Sequence, residues 1–222
     1  MKSFVVFSSI AVSAALAVVI SGCGGAKVEA GEVPAALASQ VADPALAVVH
    51  DHAVYVSLFR PGQTDTLRGE ASEGSLGQRL VQATADALDG ARNRAAWESD
   101  RGRVRIVVDI AGPDFAVPGR ELRTLWYLFE PGIDGVMVVN GDRRGVVLPA
   151  EPVTLGMHSP RVKGRDEKLP KMLNEASRRA SASARAWQDP DTDLRRFRTT
   201  SFGEVVPGEG AVALYRANVL IE

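Results

Sequence analysis

Hydrophobic and polar positions change period several times along the chain, and each change predicts an element. Ala53 to Phe59 (AVYVSLF) is rich in β-formers and stops at Pro61-Gly62, a turn signal, so it predicts a strand. Thr64 to Gly69 is placed to return beside it as a hairpin. Leu76, Leu80, Ala83, Ala87, Leu88 and Ala91 recur at three- and four-residue steps, which predicts one helix from Ser75 to Trp97 with Ser75 as its cap. From Arg103 to Ile110 the period drops to two. Val104, Ile106, Val108 and Ile110 share a face opposite Arg103, Arg105 and Asp109, the pattern of a half-buried antiparallel strand. Asp134 to Leu148 predicts a hairpin joined around Asn140-Gly141, a strong two-residue turn signal. A further helix is expected to start near Pro170, with Met172, Leu173, Ala176 and Ala180 on its inner side. Asp189-Pro190-Asp191 reads as a turn, and strands near Arg195 to Phe202 and Val212 to Ile221 close the chain. A short helix over Val33 to Val41, opening at Pro34, completes the expectation. No internal repeat is visible in the sequence. Antiparallel strands broken by a few helices predict an α+β fold, an antiparallel sheet with flanking helices.

Upstream, the pattern is of another kind. Lys2 precedes an uncharged, mostly apolar run of 17 residues from Phe4 to Ile20, short for a membrane span and suited to a signal peptide. Ile20-Ser21-Gly22-Cys23 resembles the lipobox of bacterial lipoproteins. Its small residues suit an extended fit in a peptidase groove, and the thiol is the one nucleophile there that can take a diacylglyceryl group. The expected division is therefore 1–22 signal peptide, 23–32 lipidated tether and 33–222 folded domain. Cys23 is the expected lipidation site. Each buried CH₂ is worth ~0.8 kcal/mol, so two or three acyl chains, palmitate among them, hold a protein to a membrane stably. Gly24 after the cysteine, where an aspartate would favour the inner membrane, points to the outer membrane facing the periplasm.

Composition narrows the function classes without choosing one. The chain is 45% hydrophobic and 24% charged with a net charge of −1, so no global charge draws it to nucleic acid. Between Arg161 and Arg198 there are 11 basic and 6 acidic side chains, a mixed-sign stretch that reads as a solvated face. Cys23 is the single cysteine, which excludes an intramolecular disulfide. His50-Asp51-His52 has a metal-like look, but a site needs a third ligand and supporting shell. With His158 the sole other histidine, it reads as ordinary loop. No metal or cofactor is expected. Nucleophile-elbow, P-loop and dinucleotide motifs are missing from any strand–turn–helix context. Trp97, Trp126 and Trp187 lack the basic interleaving of a base-stacking platform and read as core.

Several segments in order resemble the AMMECR domain family. Ala53-Val54-Tyr55-Val56-Ser57-Leu58 resembles its opening strand, and Thr66-Leu67-Arg68-Gly69 the start of its L-R-G-C-I-G signature. Glu130-Pro131-Gly132-Ile133-Asp134-Gly135-Val136 and Arg144-Gly145-Val146-Val147-Leu148-Pro149 resemble its hairpin. Ala186-Trp187, Asp189-Pro190-Asp191, Leu194, Phe197, Phe202 and Glu204 resemble its closing stretch. The likeness runs from about residue 35 to 204. It implies two unequal lobes with a cleft, the signature loop lying near that cleft, and no settled activity. It also implies an association with Memo-like proteins and radical SAM enzymes.

Two departures shape the expected function. Members are usually cytoplasmic, whereas this chain carries an export leader. The signature cysteine is replaced by Glu70 and the next two residues by Ala71-Ser72. With Cys23 acylated no thiol remains, so a thiolate mechanism is excluded. The expectation is a lipid-anchored envelope module that binds a small ligand or protein partner, with Arg68, Gly69, Glu70, Arg144 and Arg196 as candidate contacts. The alternative is an enzyme using Glu70 as acid or base on an envelope metabolite.

Overall fold

The β-branched and aromatic run VYVSLF forms strand β1 (Val54–Phe59), which pairs antiparallel with β2 (Leu67–Ala71). The structure is a computed structural model. It describes residues 52–60, 66–100, 102–130, 132–151, 165–180, 183–204, 207 and 211–214. The expected signal peptide, tether and helix at 33–41 lie outside these residues. The remaining elements are α1 (Leu76–Ala87), α2 (Ala91–Asp100), β3 (Arg105–Ala116), α3 (Leu122–Leu128), β4 (Asp134–Asn140), β5 (Arg143–Val147), α4 (Arg165–Arg179), a 3-10 turn (Ala186–Gln188), β6 (Asp193–Glu204) and β7 (Ala211–Leu214). The strands follow the order β2-β1-β3-β6-β4-β5, with β7 beside β6. This is the expected α+β class, an antiparallel sheet with flanking helices.

Several boundaries differ from the sequence pattern. The expected helix from Ser75 to Trp97 is two helices, because Gly90 takes a φ of 83° that breaks the helical run. Its start is as expected. The Ser75 hydroxyl accepts from the Gln78 N–H, and the Gln78 side chain accepts from the Ser75 N–H, a reciprocal capping box. Strand β3 runs past Ile110 through Gly112 and Pro113 to Ala116. It is also not half-buried as expected, since Ile106 to Ile110, Asp109 included, are covered on both faces. Strand β2 reaches Ala71 rather than ending at Gly69, α4 begins at Arg165 and passes through Pro170, and α3 has no counterpart in the expectation. Beyond Leu214 the expected last strand leaves the described residues.

The chain divides into two compact units, one ending at Ile110 and regaining Ser201–Leu214, the other built on Ala111–Thr200. In the first, Val54, Val56 and Leu58 of β1 face Leu76, Leu80, Ala83 and Ala87 of α1, with Ile106, Val108 and Phe202 completing the core. In the second, Val136 and Val138 of β4 and Leu194 of β6 face Leu169, Leu173, Ala176 and Ala180 of α4, with Trp187 beside them. Each fully buried leucine in these clusters contributes about 1.5–3 kcal/mol.

The two units repeat one framework, although the sequence shows no repeat. Gly69 is paired with Val56, which is paired with Val108. Gly145 is paired with Val138, which is paired with Leu194. A Cβ on Gly69 would stand 1.8 Å from the Ala83 carbonyl oxygen, and one on Gly145 would stand 1.9 Å from that of Ala176. In both units, therefore, a helix backbone rests directly on a strand glycine. The helices match in phase: Leu76 with Leu169, Leu80 with Leu173, Ala83 with Ala176, Thr84 with Ser177, Ala87 with Ala180. The Thr84 hydroxyl donates to the Leu80 carbonyl at 2.8 Å and the Ser177 hydroxyl to the Leu173 carbonyl at 2.9 Å. Even the residue before the last alanine does the same work with opposite polarity. The Asp86 carboxylate accepts from the Glu70 N–H at 2.9 Å, whereas Arg179 donates to the Val146 carbonyl at 2.6 Å.

Candidate functional site

Strand geometry sorts the candidates by face. Side chains alternate along a strand, and residues paired across an antiparallel ladder share a face. Val54, Val56, Leu58, Leu67, Gly69 and Ala71 therefore face α1, while Tyr55, Ser57, Arg68 and Glu70 lie on the opposite face of the same hairpin. Asp109, paired with Tyr55, joins them from β3.

This outer face of the first unit is polar, and its inner part is buried. The Arg68 guanidinium carbon lies 5.8 Å from the centre of the Tyr55 ring, within cation–π range. Tyr55, Ser57 and Asp109 are fully covered, whereas Arg68 and Glu70 are half-buried. The Ser201 hydroxyl of β6 donates to Asp109 Oδ1 at 2.5 Å. A buried carboxylate needs such donors, since burial without them costs several kcal/mol. The Ser57 hydroxyl is buried without any hydrogen-bond partner, an arrangement that costs about 1–3 kcal/mol.

Of the five candidate contacts, three lie in the first unit and two in the second. Arg68 and Glu70 share the outer face of β2. Gly69, between them, is spent on packing against α1. Arg144 and Arg196 belong to the second unit and lie on opposite faces of its sheet. Arg144, exposed, pairs with Val139, while Arg196 pairs with Val136 of the core. The Arg196 Nη1 donates to the Leu128 carbonyl at 2.5 Å, which ties it to α3. The alternation of Tyr55 and Ser57 with Val54, Val56 and Leu58 is the sequence signal that could have found this set. Nothing in the sequence indicated that Ser201 would meet Asp109.

His50, Asp51, His158 and Cys23 lie outside the described residues. His52 is half-buried, and its carbonyl accepts from Arg79 Nη1. Among the described residues no three His, Cys, Asp or Glu side chains are grouped to hold a metal ion. No described helix is long and apolar enough to cross a membrane. Trp97 and Trp187 are buried in the two cores and Trp126 packs against the second, as expected.

No curated protein sequence matches the chain. Among solved structures it is similar to an uncharacterised protein of Pyrococcus horikoshii, with a TM-score of 0.61 and 17% identity over 93% of this chain and 95% of that one. At that identity the likeness concerns the fold. The model of the AMMECR1 family matches residues 26–202, most of the length, and the chain belongs to that family.

Proposed function

We propose that this chain is a lipid-anchored envelope protein whose AMMECR1 domain binds a small ligand on the outer face of its first unit. The observation that carries the reading is the internal comparison. Where the first unit has Tyr55, Ser57 and Glu70, the second has Met137, Val139 and Val146 at the matching register positions. The framework thus builds without those polar groups, and a buried unsatisfied hydroxyl is costly to keep for structure alone. Arg68 and Glu70 offer opposite charges on one face, and Tyr55 offers a ring beside them.

The leader supports the remainder of the reading. A lipobox-like stretch before Cys23 would place the mature domain on the outer membrane, facing the periplasm. Palmitate labelling and membrane fractionation of a Cys23→Ser variant test this part separately. A variant that stays labelled and membrane-bound removes the anchor.

The ligand site is tested by thermal melting and calorimetry of the full chain against envelope metabolites, nucleotides and metal ions. A ligand at 100 times its Kd adds about 2.7 kcal/mol. Arg68→Ala and Glu70→Gln should abolish or sharply weaken a hit. A hit that both variants retain puts the site elsewhere, and turnover lost in Glu70→Gln would make Glu70 an acid–base group instead. If no compound binds, a protein partner becomes the reading to test by pull-down.

A further inference from the structure

Arg79, the fourth residue of α1, is 3% exposed. A guanidinium is charged at every physiological pH, and a buried charge without a counter-ion is among the costliest placements in a protein. Its Nη1 donates to the His52 carbonyl, its Nε is buried without a hydrogen-bond partner, and no described carboxylate pairs with it. Glu73, the acidic residue nearest in sequence, is exposed and makes no ion pair with it.

The second unit says what the fold itself needs here. Counting along α4 in the phase set by Leu169, Leu173 and Ala176, the position of Arg79 is held by Met172, which is 2% exposed. An apolar side chain fills the matching place on α4, so packing does not call for a cation. The second unit's own buried charges are treated differently, for Glu151 is paired with Arg179 at 2.8 Å and Asp134 with Arg198 at 3.2 Å.

The unbonded edge of Arg79 has a definite shape. With Nη1 committed to His52, Nε–H and Nη2–H remain, and these two point the same way as the side-on fork that carboxylates and phosphates accept bidentately. The tie to His52 places this group at the end of the unit where Val54 pairs with Ala71, beside the exposed bend Ser72–Gly74 and the start of α1. The helix dipole adds positive potential there.

We infer that the Nε/Nη2 edge of Arg79, beside His52 and the Ser72–Gly74 bend, is the binding site for a small oxyanion, a carboxylate or a phosphate. The site is separate from the outer face of β1 and β2 and does not depend on the reading given above.

The test uses the purified full chain with inorganic phosphate or acetate, against chloride at equal ionic strength. Saturating anion should raise Tm by about 5 °C and shift the ¹⁵N–¹H resonance of Arg79 Nε. Phosphate acting alone, or acetate acting equally, identifies the class of anion. Arg79→Met, which copies the second unit, should melt in chloride no lower than the wild type and lose the anion response, while Arg68→Ala keeps it. A wild-type melting temperature and Nε resonance that ignore both anions overturn the inference, as does an undiminished response in Arg79→Met. Should Arg79→Met not fold, the wild-type Nε titration decides alone.

Discussion

Gly69 lies so close beneath Ala83 that a Cβ would stand 1.8 Å from the Ala83 carbonyl oxygen and 2.3 Å from the Ala87 nitrogen. Both obstacles are backbone, so no rotamer change relieves them and the helix must move. Gly69→Ala should therefore cost about 3 kcal/mol or more, and Gly145→Ala a similar amount. Gly102→Ala, with open space around its Cβ, should change stability by less than about 0.5 kcal/mol. Urea unfolding of the three variants checks this. Equal stabilities would mean that the helices do not rest on the glycines.

The Glu151 carboxylate is buried, and it accepts from the Leu148 N–H at 2.6 Å and from Arg179 Nη1 at 2.8 and 2.9 Å. Removing the cation leaves a buried negative charge, so Arg179→Met should lose about 3 kcal/mol or more. The double variant Arg179→Met with Glu151→Gln should recover part of the loss. A double-mutant cycle by denaturation gives the coupling, and additive losses would remove the pair.

Asp134 offers a contrast between its own two partners. Buried itself, it accepts from the Glu130 N–H at 2.7 Å and from the largely exposed Arg198 at 3.2 Å. Asp134→Ala should cost about 1–3 kcal/mol, because it strips a partner from a part-buried backbone donor. Arg198→Ala should cost less than about 1 kcal/mol, since water already solvates that guanidinium. Similar costs for the two, measured in the same denaturation series, would show that the ion pair matters more than its exposure allows.

What could be read from the sequence follows from how local each cause is. The Ser75 cap, strand β1 and the Asn140-Gly141 hairpin depend on neighbours within a few residues, and all three stand as expected. The break at Gly90 was hidden because Leu88 and Ala91 continue the helical period across it. Strand β3 was cut short because Gly112-Pro113 ordinarily ends a strand. The Asp109 side chain was placed with the polar face, which was right, but its burial depends on Ser201 and the second covered face, and those are non-local. For the candidate site, Arg68 and Glu70 were legible as residues of one strand face. Within the second unit, the register puts Arg144 and Arg196 on opposite faces of the sheet, which residue type alone does not show. The repeat escaped detection because its carriers are two glycines and a few small or aliphatic side chains, set at different spacings from hairpin to helix.

Among the described residues strands β2 and β5 end the strand order, and the outermost strand of a sheet ordinarily offers free backbone groups to any passing chain. Here Asp86 occupies the outward N–H of Glu70, and Arg179 occupies the outward carbonyl of Val146. A second molecule attempting to extend the sheet at either place meets a side chain already bonded there, with a helix behind it. The same two residues that fasten each helix to its hairpin therefore also guard against self-association by strand addition, a protection that matters most when many copies are crowded together.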